Sequence, residues 1–265
     1  MDSPIITLTT DWGGQDFFAG RVKGKLLSSI PDVRIVDITH GLAPFNLLRA
    51  IFVIKNACFD FPKGTIHIID ICSSETTSTP FIVVAFRDQY YICTNNGLPS
   101  AVFGNDYTEA VVIDNIPYDN NSFTFAACDL FCKVACMIAN GAQLSDLGFP
   151  VEELVQAKQH GTIVAGNRIT VYVAYIDAYG NADLNITFDE FEQYRAGRKF
   201  EMIVKDQSIK EISRSYVSTS NTNPLYNPLM LTVSSTGHLQ VALRKNSAEQ
   251  LFGLKELDQF TILFI

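Results

Sequence analysis

The sequence predicts an α/β protein, with an amino-terminal α/β/α sandwich on a mostly parallel sheet and a smaller, all-β, barrel-like carboxyl-terminal domain. Three observations predict this class. The first half alternates short apolar runs with helical patterns. From about residue 163 the chain changes to short strands with frequent turn residues. The 265 residues are 47% hydrophobic and 11% aromatic, which suits a folded chain of one large or two small domains.

The first half of the chain has the pattern of a βαβαβ unit. Short apolar strands, rich in β-branched residues, alternate with helices that begin at polar caps and end at proline or turn residues. A Ser- and Thr-rich loop at 72–80 follows the third strand, and ligands of open α/β sheets bind at such strand ends. The predicted strands are 5–10, 33–38 and 65–71, and the predicted helices run from Asp16 to Pro31 and from the cap Asn46 to Cys58.

The remaining elements are a hairpin, one further helix of the first domain and the strands of the second domain. The helix is predicted from Asp129 to Asn140. We place the domain boundary near 150–165, which gives an α/β/α domain over 1–155 and a barrel-like domain over 165–265. The predicted strands are 81–86, 90–93, 169–176, 200–204, 229–233, 238–243 and 260–264.

The charge balance narrows the classes of partner. With 20 Lys and Arg against 28 Asp and Glu, the net charge of −8 does not favour binding to nucleic acid. No apolar run approaches the ~18 residues of a membrane span, and the start of the chain lacks the features of a signal peptide. We therefore expect a cytoplasmic protein with a small-molecule partner, no membrane contact and six cysteines present as thiols.

Two aspartates follow apolar strands of the first domain. Asp11 comes directly after the first strand and Asp70 lies at the end of the third. Carboxylates at neighbouring strand ends point into one crevice, where they accept hydrogen bonds from a ribose or activate a water molecule. The alternative is a capping or turn role for each. His40, after the second strand, is a candidate base, or else a structural histidine bonded to backbone.

The segment 177–181 follows a strong strand of the second domain. Tyr179 offers a ring for stacking, and Asn181 offers an amide that both donates and accepts, so together they suit a purine base. A simple hairpin turn is the alternative. Neither the dinucleotide fingerprint nor the Walker lysine is present, and the histidines form no metal-binding pattern. We therefore expect no metal and no phosphate-binding loop.

Several sequence blocks, in order along both domains, resemble one known family. Residues 10–24 are similar to T-D-F-G-x-x-D-x-Y-V-G-x-x-K-G and residues 37–44 to D-I-T-H-x-I-x-P. The ten residues from Phe61 to Asp70 are similar to F-P-x-G-T-V-H-x-x-V-V-D, with two positions of that pattern absent before the Asp. Later matching blocks are 96–98, 179–186 and 235–239. The chain thereby resembles the S-adenosyl-L-methionine hydroxide adenosyltransferases, which are related to the bacterial fluorinase and chlorinase.

The resemblance implies a homotrimer, with each ligand site between the first domain of one subunit and the second domain of its neighbour. S-adenosyl-L-methionine would be the substrate, and no cofactor or metal would be needed. The resemblance also implies a role for each site residue: Asp11 holds the ribose diol, Phe45 and Phe125 line the nucleoside pocket, Tyr179 stacks on adenine, Asn181 bonds its edge, and Asp177 and Ser235 meet the amino-acid end.

The catalytic set of the family is incomplete in this chain. Of the Asp, Arg and His around the attacking water, the Asp is kept as Asp70, whereas Thr77 and Ala126 occupy the positions of the Arg and the His. The halide pocket of the fluorinase is altered as well, because Ala127 replaces its serine and Asp70 its tyrosine. A carboxylate at that place repels a halide ion.

Three hypotheses follow. The first is hydrolysis of S-adenosyl-L-methionine to adenosine and L-methionine by attack of water at the ribose C5′, with Asp70 as the base. The second is a non-catalytic binder of an adenosyl ligand, because Thr77 and Ala126 lack the chemistry of Arg and His. The third and least favoured is a chlorinase-like transfer of the adenosyl group to a halide.

Overall fold

The computed structural model describes residues 3–74, 76–117, 124–157, 161–216 and 229–265. The contacts divide the chain into two compact units, Met1–Gln159 and His160–Ile265. Each unit is built around its own sheet. The predicted fold class is confirmed, with a layered α/β unit first and an all-β unit with short helices second. Within the described ranges, no helix has both the length and the apolar character that crossing a membrane requires.

The first unit alternates strands and helices in the order expected of a βαβαβ start. A 3₁₀ turn at Cys58–Asp60 follows α2, and a π-helical turn at Ala127–Phe131 precedes α4. Its named elements are β1 Ile5–Thr10, α1 Phe18–Ser29, β2 Arg34–Thr39, α2 Leu47–Ala57, β3 Ile66–Asp70, β4 Phe81–Phe86, β5 Gln89–Thr94, α3 Leu98–Phe103, β6 Glu109–Ile113, α4 Cys132–Ala139, α5 Leu144–Leu147 and β7 Gly148–Pro150.

The described strands of this unit form one sheet in the order β2-β1-β3-β5-β4-β6-β7. β1 pairs in parallel with β2 and β3, and β3 pairs in parallel with β5. The pairs β5/β4, β4/β6 and β6/β7 are antiparallel, so that β2, β1, β3, β5 and β6 share one direction. The sheet is therefore mostly parallel, and the ends of β1 and β3 meet at one edge.

Helices cover both faces of this sheet. Residues of β3 alternate between two cores, with Ile68 packed in the core that contains Val22 of α1, and Ile69 packed in the core that contains Ile54 of α2. All five residues of β3 are buried as a result. A central strand covered on both faces is typical of a parallel sheet with crossover helices. This layering holds the end of β3, where Asp70 lies, rigidly in place.

The second unit is a nine-stranded sheet around one core. The strand order is β12-β11-β16-β9-β10-β15-β14-β13, with β8 paired to β9, and every pair except β13/β14 is antiparallel. Its elements are β8 Ile163–Ala165, β9 Arg168–Ile176, β10 Ala182–Thr187, α6 Phe188–Arg195, β11 Phe200–Val204, β12 Gln207–Ile209, β13 Ile212–Ser213, β14 Met230–Val233, β15 His238–Ala242, α7 Ala248–Phe252 and β16 Gln259–Phe264.

Two predicted helix starts differ from the structure. α1 begins at Phe18 without a side-chain cap, and Asp16 accepts only the neighbouring N–H of Phe17. The helix predicted from Asp129 begins earlier, as the π-helical turn at Ala127–Phe131. Apolar periodicity cannot show a π turn, because that turn differs from an α-helix only in which carbonyl each N–H reaches. The predicted cap at Asn46 is confirmed, since its side chain accepts the N–H of Arg49.

Candidate active site

Asp11 and Asp70 lie at the meeting point of β1 and β3. The two strands are paired in register, with Thr10 opposite Asp70, and Asp11 is the next residue along the chain. Asp70 is only 6% exposed, whereas Asp11 is half-buried. The structure thus places the two predicted carboxylates at the adjacent carboxyl ends of β1 and β3, where Asp70 is buried and Asp11 is partly exposed to solvent. A pair of this kind can divide its work between proton transfer and binding of hydroxyl groups.

Burial controls the acidity of Asp70. Removal of this carboxyl from water raises its pKa to about 6. The hydrogen bond from the Trp12 indole and the nearby Ser73 hydroxyl act in the opposite direction, and the nearby charge of Asp11 raises the pKa further. At pH 7 the carboxylate is therefore ionised but more basic than an exposed aspartate. A base with a pKa close to the working pH is the kind that general-base catalysis requires.

The Trp12 indole covers one side of the Asp70 carboxyl. Its Nε1 donates a hydrogen bond to Asp70 Oδ2 at 2.9 Å. One face of the indole stacks on His40, with ring centroids 5.7 Å apart and an angle of 12° between the planes. Phe125 meets the indole edge-on, with centroids 5.0 Å apart. Predicted site residues from three different segments therefore converge around one ring.

His40 has a structural role behind this ring. Its Nδ1 lies 2.7 Å from the Thr10 hydroxyl, and its Nε2 lies 3.2 Å from a carboxylate oxygen of Asp37. The backbone carbonyl of His40 accepts the N–H of Gly13 at 2.7 Å. The structure therefore favours a structural role for His40 over a role as the base, although its imidazole contacts side chains and not the backbone that was predicted. It fastens the loop after β1 to the end of β2.

Asp11 supports the loop that carries Phe45. One oxygen of its carboxylate, Oδ2, accepts the backbone N–H of Phe45 at 3.0 Å. Phe45 has a φ of +65° and is 74% exposed, which is an uncommon backbone conformation for a bulky side chain. Cys72, just after Asp70, also has a positive φ, of +52°. Strained backbone of this kind concentrates at functional sites.

Thr77 and Ala126, which the resemblance places at the positions of the Arg and the His, carry no charge. Thr77 is exposed in a turn closed by a bridge between Thr76 and Thr79. Ala126 and Ala127 are buried in the first core, directly after Phe125. The chain segment that would offer a histidine thus contributes only packing. His40, the other candidate base, stacks on the Trp12 indole.

In the second unit, Asp177 organises the turn between β9 and β10. Its Oδ1 accepts the backbone N–H groups of Tyr179 and Asn181 at 2.8 and 2.9 Å, and its Oδ2 accepts the Asn181 side-chain amide at 2.9 Å. The carbonyl of Asp177 accepts the N–H of Gly180. The segment 177–181 is therefore a hairpin turn, and Asp177 fixes the conformation of the turn that carries the predicted adenine ligands.

This turn displays one aromatic ring and buries one amide. Tyr179 is 80% exposed, and Asn181 is buried. Gly180 between them has a φ of +77°, and a Cβ at this position would lie 2.0 Å from the Ser247 hydroxyl oxygen. Glycine is thus required for both conformation and space. Ser235, predicted for the amino-acid end, is exposed in the turn between β14 and β15.

Asp183 is a buried carboxyl that the sequence patterns did not reveal. It is 4% exposed on β10 and accepts the Gln240 side-chain amide with both oxygens, at 3.3 Å each. Burial raises its pKa to about 6, against hydrogen bonds from Ser234 and Gln240, and the charge of Asp177 adds to the rise. The sequence feature that could have indicated this buried carboxyl is an acidic residue between apolar Ala182 and Leu184. Period-two alternation alone assigns such a residue to the solvent face.

We expect Asp183→Asn to stabilise the protein above pH 7. A carboxyl whose pKa is raised on folding contributes stability below its unfolded value near 4, and this stability is lost as the pH rises through about 6. The amide avoids burial of the charge, and a shift of about two units sets an upper value of about 3 kcal/mol. Thermal unfolding at pH 5 and pH 8 checks this. A variant with an unchanged or lower Tm at pH 8 would contradict it.

Comparison with known proteins gives matches over nearly the whole chain. Residues 6–148 match the SAM hydroxide adenosyltransferase N-terminal domain, and residues 171–261 match the C-terminal domain of the same description. An (R)-S-adenosyl-L-methionine hydrolase from Methanocaldococcus jannaschii is 28% identical over 98% of this chain and 96% of its own length. A fluorinase from an Actinoplanes species is 25% identical, covering 93% and 92%.

A solved structure matches the fold at similar coverage. It is an uncharacterised conserved protein from Thermotoga maritima, with a TM-score of 0.83 and 28% identity over 98% of this chain and 99% of that one. The family domains together span both units described above. Residues at the strand ends of the first unit and in the β9–β10 turn of the second unit thus lie within matched regions.

Proposed function

This chain belongs to the S-adenosyl-L-methionine hydroxide adenosyltransferase family, and we propose that it hydrolyses S-adenosyl-L-methionine to adenosine and L-methionine. The observation that carries the proposal is the buried carboxyl of Asp70, with a pKa of about 6, beside Asp11 at one strand edge. Relatives named (R)-S-adenosyl-L-methionine hydrolase, matched over nearly the full chain, support the same reaction.

In this mechanism a water molecule attacks the ribose C5′ in line with the sulfur. The new C–O bond forms as the C–S bond breaks, and the electron pair of that bond goes to the sulfur, which leaves as the neutral thioether of methionine. Asp70 accepts the proton of the attacking water and passes it to solvent. The sulfonium is already a good leaving group, so that positioning and proton transfer are the main tasks of the protein.

The other predicted site residues take binding roles in this proposal. Asp11 accepts the ribose hydroxyls with the carboxylate that also supports the Phe45 loop. Phe45 and Phe125 provide apolar surface to the nucleoside. In the second unit, Tyr179 stacks on adenine, Asn181 bonds its edge, and Asp177 and Ser235 meet the amino-acid end. The exposed Tyr179 ring and the rigid turn beneath it support this assignment.

The proposal includes the homotrimer that the family resemblance implies, and no cofactor or metal. In that assembly the residues from the first unit of one subunit and those from the second unit of its neighbour serve the same ligand. Light scattering of the purified protein tests the assembly, and a monomeric mass would reject this part of the proposal.

A second candidate function is a binder of an adenosyl ligand without catalysis. The exposed Thr77 and the buried Ala126 favour it, since neither supplies a cation or an imidazole to the water. A chlorinase-like reaction has less support, because the Asp70 carboxylate repels halide ions and Ala127 is buried in the core.

Chromatography of nucleosides separates these functions. The protein is incubated with S-adenosyl-L-methionine, with and without chloride, beside the Asp70→Asn variant. We expect adenosine and methionine in equal amounts, dependent on Asp70 and independent of chloride. Unchanged substrate with binding detected by calorimetry would replace the hydrolase with the binder, and a chlorinated nucleoside would replace it with halide transfer.

A further inference from the structure

The only tryptophan of the sequence, Trp12, donates directly to the proposed base. Its Nε1 and Asp70 Oδ2 are 2.9 Å apart, although the two residues are 58 positions apart in the chain. An indole N–H is a donor only, so this contact favours an acceptor, and it is strongest when the acceptor is an ionised carboxylate. The family pattern to which residues 10–24 are similar has Phe at this position, which offers no donor.

Packing fixes the direction of this donor. His40 stacks almost parallel on the indole, and Phe125 lies edge-on to it. His40 is itself fixed by Thr10 and by Asp37, and Asp37 is paired with Lys23 of α1. The indole therefore has little freedom to rotate away from the carboxyl. A donor held in this way also limits the orientation of the carboxyl group that it contacts.

We propose that Trp12 is a positioning residue of this site, which holds one oxygen of the Asp70 carboxylate so that the other oxygen faces the attacking water. This role rests on the proposed hydrolysis. Thr77 and Ala126 occupy the positions that the resemblance assigns to an Arg and a His. In place of those groups, the neutral indole of Trp12 orients the base. The indole N–H takes no part in the bond changes at C5′.

The charges around Asp70 set the direction of the expected pH effect. Asp11 at the end of β1 opposes ionisation of Asp70, whereas the Ser73 hydroxyl and the Trp12 indole favour it. His40 stacks on the indole and lies 3.2 Å from Asp37, which pairs with Lys23. Loss of the indole N–H removes a bond to the ionised form, so the pKa of Asp70 rises further. The low-pH limb of kcat/KM then moves to higher pH.

The kinetic test replaces Trp12 by Phe, which keeps an aromatic ring and removes the donor. We expect the low-pH limb of kcat/KM to move up by about one pH unit, the scale of one hydrogen bond to a charged group. We also expect kcat at pH 7 to fall about 10-fold with KM within about twofold. Phe18→Leu is the matched control, because Phe18 packs beside the indole without reaching Asp70. If the low-pH limb of kcat/KM has the same midpoint in Trp12→Phe and in wild type, the proposal is overturned.

A spectroscopic test needs no activity and no folded Trp12 variant. In the wild-type protein labelled with nitrogen-15, the single indole N–H resonance should titrate with a midpoint near 6, moving downfield as Asp70 ionises. The transition should disappear in Asp70→Asn and persist in His40→Gln, which separates Asp70 from the stacked histidine. A transition that persists in Asp70→Asn, or none in wild type, would overturn the contact even if hydrolysis is observed. A normal titration without turnover would instead reject the proposed function.

Discussion

Asp70→Asn is expected to lower kcat/KM for S-adenosyl-L-methionine by about 10²-fold or more and to stabilise the protein at pH 8. The amide cannot accept the proton of the attacking water, and general-base catalysis contributes roughly 10²–10⁴-fold. The amide also carries no charge, and Asp70 is only 6% exposed. Since burial raises the pKa of Asp70 to about 6, the charged form weakens the fold as the pH rises from about 4 to 6, and the amide removes that loss.

Initial rates and thermal unfolding at pH 8 measure both effects of this substitution. Asp183→Asn is the comparison for stability, because its carboxyl is buried with a similar pKa in the second unit. We expect both variants to have a raised Tm. Full turnover in Asp70→Asn would exclude Asp70 as the base, and a large loss of stability would show that its charge supports the fold.

Asp11→Ala is expected to raise KM by about 100-fold, on the scale of about 1.5–3 kcal/mol for hydrogen bonds to a charged group. The carboxylate is proposed to hold the ribose hydroxyls, and it also accepts the N–H of Phe45, whose φ is +65°. Its loss therefore removes a ligand contact and releases a strained loop beside the site. Steady-state kinetics with S-adenosyl-L-methionine, and calorimetry with adenosine, measure the effect.

The control for this substitution is Asp32→Ala, which removes an exposed carboxylate from the turn between α1 and β2. It should leave both KM and adenosine affinity at their wild-type values. If Asp11→Ala also binds adenosine normally, the ribose role assigned to Asp11 is wrong. A variant with weakened adenosine binding but an unchanged unfolding midpoint would support that role most directly.

The strands that carry the site could be predicted from the sequence because their apolar runs are unambiguous. β1 and β3 match their predicted ranges to within a residue, and Asp11 and Asp70 follow from strand ends. β6 and β10 were not predicted. In β10, Asp183 and Asn185 interrupt the apolar residues, and these polar groups have partners on the neighbouring strands, Gln240 for Asp183 and the Tyr172 backbone for Asn185.

The contacts that define the site chemistry could not be predicted from local patterns. The bond between Trp12 and Asp70 joins two segments through the pairing of β1 and β3, and nothing in the sequence near Trp12 marks an acceptor. The rise in the pKa of Asp70 likewise depends on burial of its carboxyl in the folded chain. Sequence patterns predicted candidate site residues, whereas packing determines the chemical state of each one.

The missing cation and imidazole are consistent with hydrolysis on physical grounds. The substrate brings its own positive charge at the sulfonium, and an ionised carboxylate near that charge is stabilised by it. The neutral Trp12 indole can orient this carboxylate without competing for its charge. Hydrolysis by this chain then requires one buried base, one oriented donor and rigid strand ends. The strained backbone at Phe45 and Cys72 lies beside those strand ends.

The measurement that tests hydrolysis at C5′ most directly is incubation with S-adenosyl-L-methionine in water enriched in oxygen-18, followed by mass spectrometry of both products. We expect one heavy oxygen in the 5′ hydroxyl of adenosine and none in methionine, with heavy adenosine formed about 10²-fold or more slowly by Asp70→Asn. Methylthioadenosine in place of adenosine, or adenosine without the heavy oxygen, would contradict the attack of water at C5′.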